Sequence, residues 1–139
     1  MSETSSAIDW ARLVRAAASA RAHAYAPYSS YAVGAAVLTA AGHVYVGCNV
    51  ENASYGVTLC AERCAIASMV AAGDVDPVAI AIVTAGPKLG PPCGVCRQTL
   101  TEFAPDIAIG LALAGQPAPG RVTTLSVLLP DPFRGDLVR

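Results

Sequence analysis

Residues Pro77–Thr84, PVAIAIVT, limit the fold more than any other stretch. They form a continuous apolar run with no charge in it. A strand with one wet face alternates apolar and polar side chains, whereas one covered on both faces does not. The run therefore asks for a sheet with a layer on each side. Flanking segments supply the layers. Ser6-Ala-Ile-Asp9 has the form of a capping box, and Trp10, Leu13, Val14 and Ala17 follow at helical spacing, which predicts a helix to about Ala24. Ala26-Pro27-Tyr28-Ser29 ends it. Residues 31–39 and 43–48 read as hairpin strands about Ala41-Gly42. After a loop over 49–57, Thr58 and Gly73 are the expected cap and stop of a second helix. Pro92 is expected in the first turn of a third helix, with Cys96, Leu100 and Phe103 on its face. Residues 107–112 and 121–124 read as further strands, and 126–129 as a helical turn. The order αββαβαββ predicts a single domain over 1–139, a three-layer α/β/α sandwich with a five-stranded mixed sheet.

Composition narrows the functional classes. Of the 139 residues, 54% are hydrophobic and 14% charged, against roughly a quarter charged in an average soluble domain. No apolar run approaches the roughly 20 residues that span a bilayer. A chain this apolar without such a run is expected to bury further surface against copies of itself. The start, MSETSSAIDWARLV, lacks the basic and apolar regions of a secretory signal, so a cytoplasmic chain with reduced thiols is expected. Lys88 is the single lysine and the arginines are scattered. That pattern offers no electrostatic footprint for nucleic acid.

Five cysteines in such a chain need another explanation than disulfides. Both pairs, Cys60/Cys64 and Cys93/Cys96, fall where a helix is expected to begin. Cys93-Gly-Val-Cys96 has the spacing of a metal or redox site. A redox site leaves Cys60 and Cys64 unexplained, and zinc accounts for more of the thiols. Four sulfurs on zinc make a closed structural site; three leave a position for water and chemistry. Glu62 bears on this choice. A carboxylate at an apolar helix start is costly without a partner or a task. Two residues beyond a ligand, it can reach a metal's water without binding the metal.

Cys60-Ala-Glu62 followed by Pro92-Cys93-x-x-Cys96 resembles the zinc-dependent nucleoside deaminase signature. Tyr25-Ala-Pro-Tyr-Ser29, Val33-Gly-Ala-Ala36, Gly47-Cys-Asn-Val-Glu-Asn52, Cys60-Ala-Glu-Arg63, Pro92-Cys-Gly-x-Cys-Arg-Gln98 and Leu128-Leu-Pro130 resemble the small homotetrameric cytidine deaminases, in the same order, over about residues 10–137. The resemblance implies one Zn²⁺ per chain on Cys60, Cys93 and Cys96, with Cys64 and Cys48 left to packing. It also implies hydrolysis of cytidine and 2′-deoxycytidine to the uridines with loss of ammonia, a step of pyrimidine salvage. Glu62 is then the proton shuttle, and Arg63 hydrogen-bonds a ligand sulfur and withdraws charge. Asn49 and Glu51 hold the ribose hydroxyls, Ala61 lies among the substrate contacts, and Phe133 reaches an active site, often a neighbour's. Tyr31 stands where the family usually has a phenylalanine near the base. His23 and His43 match no ligand position. The rivals are a deaminase of the superfamily with another substrate, a structural zinc module closed by all four cysteines, and an RNA deaminase.

Overall fold

β3 (Pro77–Thr84) lies at the centre of the sheet, as its two-sided apolarity requires. The computed structural model describes residues 8–138. Around β3 run α1 (Trp10–Arg21), β1 (Val33–Thr39), β2 (Val44–Cys48), α2 (Ala61–Ala71), α3 (Gly94–Phe103), β4 (Ala108–Leu113), β5 (Arg121–Thr124) and α4 (Leu125–Leu128), with short 3₁₀ turns at Tyr55–Val57 and Gly135–Leu137. The strand order is β2-β1-β3-β4-β5. Only β3 and β4 run parallel, joined through α3; the other neighbours are antiparallel. This is the expected five-stranded mixed sheet.

Alternation along the strands sorts side chains by size onto the two faces. Ala36, Ala79, Ala81, Val83, Ala108 and Ala112 face α1 and pack on Leu13, Val14 and Ala17. That face is small so that the helix can come close. A Cβ on Gly34 would lie 1.9 Å from the Ala17 carbonyl oxygen, and one on Gly110 would lie 2.6 Å from the Trp10 ring. The opposite face carries Val37, Ile80, Ile82, Ile109 and Leu111 against Ala65, Ile66, Met69 and Leu100 of α2 and α3. Each such Ile or Leu contributes about 1.5–3 kcal/mol on burial. The helices therefore form two layers, one on each side of the sheet.

Several boundaries differ from the sequence reading, each for a local reason. Ser6 of the expected capping box lies outside the described residues. Asp9, expected inside the helix, is instead its N-cap, and its Oδ1 accepts from the Arg12 N–H at 3.1 Å. α1 stops at Arg21, three residues before the expected end. The first strand starts at Val33, so Tyr31 stays in the preceding loop. Thr58 does not cap α2; its hydroxyl accepts from the Asn52 N–H at 3.2 Å, and Cys60 is the N-cap. Likewise Cys93 caps α3, and Pro92 stands just outside it. β4 and α4 are each offset by one residue from the expected segments, β4 toward the C-terminus and α4 toward the N-terminus.

Candidate metal centre and active-site cavity

The two cap positions bring the thiols together. Cys60 and Cys93 both have extended backbones and no side-chain capping bond, so their sulfurs are free of the task a serine or aspartate performs there. Cys60 Sγ lies 3.8 Å from Cys93 Sγ, and Cys93 Sγ lies 3.5 Å from Cys96 Sγ. All three sulfurs fall within 4.8 Å of one another. A tetrahedral zinc with bonds of about 2.3 Å needs sulfurs about 3.8 Å apart, so the triangle fits the metal. It is far too open for a disulfide, whose sulfurs sit about 2.05 Å apart. Cys64 is not part of the cluster among the described residues. It sits one turn along α2 against β2, where a Cβ on Gly47 would come 2.8 Å from its own Cβ. The cluster of Cys60, Cys93 and Cys96 thus fits the three-sulfur alternative.

The surroundings favour an anionic sulfur at Cys60. Two helices start here, and their N-terminal N–H groups favour negative charge. The Cys60 thiol is drawn down to about 5, first by the nearby Cys96 thiol and further by Arg63 and Cys93. The closeness of Cys60, together with burial, pushes Cys96 up. An Arg63 Nη donates to the Thr58 carbonyl at 2.9 Å and reaches Cys60 Sγ at 3.8 Å. Its Nε is buried without a partner.

Glu62 follows Cys60 by two residues and is only 6% exposed. Burial pushes its carboxyl up to about 6, and the charge of Cys60 adds to this; its own backbone N–H, Cys96 and Arg63 pull the other way. Glu62 lines a cavity of about 200 Å³ together with Cys60, Ala61, Cys93, Asn49 and Tyr31. Its floor is Val33, Ile82 and Thr84 from the sheet, and Gly90 and Pro91 form a side wall.

The remaining expected site residues fall in different places. Asn49 lines the cavity, but its amide also braces the wall: Oδ1 accepts from the Val33 N–H at 2.9 Å and Nδ2 donates to the Tyr31 carbonyl at 2.8 Å. Glu51 opens instead onto an adjacent pocket with Tyr28, Ser29, Asn52 and Tyr55; Thr58 borders both spaces. Its Oε1 accepts from the backbone of Tyr28 at 2.9 Å and of Ser29 at 3.1 Å, and its Oε2 accepts from the Ser29 hydroxyl. These bonds hold the carboxyl below its usual range. Phe133 is 59% exposed and lies away from the cavity, beside Thr101, Glu102 and Arg134. Thr84 and Gly90 are among the cavity residues that were not singled out from sequence. Each reads locally as strand end or loop, so no local pattern marks them.

Three sulfurs at two helix starts and a buried carboxyl beside them define a zinc-binding hydrolytic centre. Residues 9–110 match the family described as the cytidine and deoxycytidylate deaminase zinc-binding region. The chain belongs to the cytidine deaminase family. It is 44% identical over 131 residues to a cytidine deaminase of Halalkalibacterium halodurans, covering 93% of this chain and 97% of that one. It is 44% identical over 126 residues to one of Mycobacterium tuberculosis, covering 91% and 90%. Among solved structures, a cytidine deaminase from Burkholderia pseudomallei superposes with a TM-score of 0.83 at 45% identity, over 91% of this chain and all of that one. The Mycobacterium tuberculosis enzyme gives 0.80 at 42%, over 91% and 98%.

Proposed function

We propose that this chain catalyses the zinc-dependent hydrolytic deamination of cytidine and 2′-deoxycytidine, releasing ammonia. The observation that carries the reading is that Glu62 lines one cavity with Cys60 and Cys93, two of the three clustered cysteines, with Cys96 buried behind them. Cys60, Cys93 and Cys96 would hold the zinc, which when bound would supply the Lewis acidity for a water nucleophile near neutral pH. The chain's own part is the handling of protons and the placing of the ring. Glu62, kept near pH 6 by burial, can take a proton from the attacking water and return it to ring nitrogen 3. It then takes the second proton, from the hydroxyl now on ring carbon 4, and delivers it to the departing amine, so that ammonia leaves as the carbonyl forms. A carboxyl with that pKa suits both directions of transfer. Arg63, close to Cys60 Sγ, offsets the negative charge that three thiolates accumulate.

The adjoining pocket favours a nucleoside over a free base. With the pyrimidine in the cavity, a sugar would pass over Thr58 toward Glu51. Glu51 already accepts three hydrogen bonds of the roughly four it can take. Asn49 retains one donor and one acceptor site beyond its bonds to Tyr31 and Val33. Each can therefore meet one sugar hydroxyl, and Ala61 at the start of α2 lies beside the ring. Tyr28 and Tyr55 at one opening and Leu59 at the other are exposed, as are Tyr25 and Val57 in the same segments of chain. That apolar belt, and Phe133 standing clear of its own cavity, support a homotetramer in which Phe133 approaches a neighbour's site. The test of the activity is the loss of the cytosine absorbance band with cytidine, 2′-deoxycytidine and free cytosine. Rapid turnover of both nucleosides and poor turnover of cytosine are expected. Equal turnover of the free base removes the sugar assignment, and silence with all three removes the activity.

A further inference from the structure

Thr84 carries a hydroxyl that the fold does not use. The residue is 2% exposed, and its Oγ1 is buried with no hydrogen-bond partner in the protein. Burying a hydroxyl unpaired is unfavourable, and a valine of nearly the same shape avoids it. The side chain lines the cavity, on the same strand face as Ile82, and is paired in register with Val33. The Tyr31 hydroxyl comes to the same spot. A Cβ built on Gly90 would lie 2.8 Å from Tyr31 Oη, 2.8 Å from Thr84 Cγ2 and 3.6 Å from Thr84 Oγ1. The bare glycine keeps open a space bordered by the Tyr31 hydroxyl and the Thr84 side chain, whose methyl is nearer than its hydroxyl, among the apolar side chains of Val33, Ile82 and Pro91.

The deaminase reading says which part of the substrate meets this wall, and the inference rests on that reading. Ring carbon 4 faces the metal, and its two ring neighbours, nitrogen 3 and carbon 5, diverge from it. With nitrogen 3 at Glu62, on α2, carbon 5 points away from α2. The strand floor and the Gly90 loop make up that side of the cavity. We propose that Thr84 and Tyr31 form a specificity site for a small hydrogen-bonding substituent on carbon 5 of the pyrimidine, of which hydroxymethyl is the type. A hydroxyl both donates and accepts, so such a group can pair with Thr84 Oγ1 and Tyr31 Oη together. Discrimination is expected because a buried polar group rejects an analogue that leaves it unpaired.

The test compares 5-hydroxymethylcytidine with 5-ethylcytidine, which is close in size but cannot hydrogen-bond there, with unsubstituted cytidine assayed alongside. In the zinc-loaded wild-type enzyme kcat/KM for hydroxymethyl should exceed that for ethyl by about 10-fold. Thr84→Val should bring the ratio to about one, Tyr31→Phe should lower it, and Thr84→Ser should retain it. Gly90→Ala should depress both substituted substrates. A wild-type ratio near one with cytidine turned over normally overturns the inference while leaving the deaminase reading intact. So does a ratio that Thr84→Val does not change. If cytidine itself is not turned over, the deaminase reading falls and the inference with it.

Discussion

Glu62→Gln isolates the proton work from everything else the site does. The side chain is 6% exposed at the first turn of α2, and the amide keeps its size and shape. The metal triangle does not use this residue. What is lost is the ability to exchange a proton, which general acid–base groups typically contribute at about 10²–10⁴-fold. At 1.36 kcal/mol per decade that is roughly 3–5 kcal/mol of barrier. Glu62 is assigned to several transfers, so a loss of at least about 100-fold in kcat is expected. Folding should not suffer. A carboxyl that burial has already pushed up to about 6 is held in an environment unfavourable to charge, so the neutral amide should unfold at the same temperature or higher. Steady-state assay, metal analysis and thermal melting of the same preparation separate the terms. A variant within about threefold of wild type in kcat would show that another group moves the protons. Loss of zinc with loss of activity would show instead that the carboxyl supports the metal.

Zinc should be bound at one ion per chain by three sulfurs and one light atom, and X-ray absorption showing four sulfurs would refute this. Cys64→Ser should keep stoichiometric metal, whereas Cys96→Ser should lose it, as read by metal analysis after dialysis. Glu51→Ala should lower kcat/KM for the nucleosides by about 10-fold or more with metal content unchanged; a silent substitution would remove the sugar anchor. Asp74 gives a pH prediction away from the site: the Thr39 hydroxyl first, and then His43, hold its carboxyl below the ordinary value. A lowered folded pKa contributes stability that is complete above the unfolded value of about 4 and is lost as pH falls through the folded one. Asp74→Asn should therefore flatten the acid side of the stability profile below about pH 4 while leaving its slope near neutrality unchanged.

A cysteine metal centre was legible from sequence because part of its geometry is local, whereas the choice of Cys60, Cys93 and Cys96 without Cys64 came from the family resemblance. A cysteine just ahead of an apolar helix is placed by the helix start itself, and Cys93 and Cys96 are one turn apart on α3. Bringing Cys60 to them needs only that α2 and α3 start at the same end of the central strand. β3 was legible for the same kind of reason, since a run covered on both faces needs no knowledge of its partners. The cap of α2 is not legible because cysteine is not among the residues favoured at that position, and Cys60 makes no side-chain capping bond. Thr58 has the favoured chemistry, but its hydroxyl serves the 49–57 loop through Asn52, and the helix starts two residues later.

The proposed sugar anchors mark where sequence reasoning runs out. One residue of spacing allowed Asn49 and Glu51 to point the same way along an extended segment. In the fold, Val50 instead bridges Leu59 on one side and Tyr25 on the other, and this pins the segment between two strand-like neighbours. Asn49 is then drawn to the Val33 and Tyr31 backbone, and Glu51 to the amides of Tyr28 and Ser29, 23 and 22 residues earlier in the chain. Those bonds depend on where Tyr25–Ser29 is placed by the end of α1, a tertiary fact with no local signature. The same bonds bear on function. A carboxylate fixed by two backbone amides and a serine hydroxyl cannot swing to follow a ligand, so its remaining acceptor site is set before substrate arrives. Glu51 therefore suits a sugar hydroxyl at one fixed distance from the ring. Ser29→Ala should free the carboxylate and raise KM for cytidine more than it lowers kcat, and a KM unchanged in that variant would show that the carboxylate is not held for the sugar.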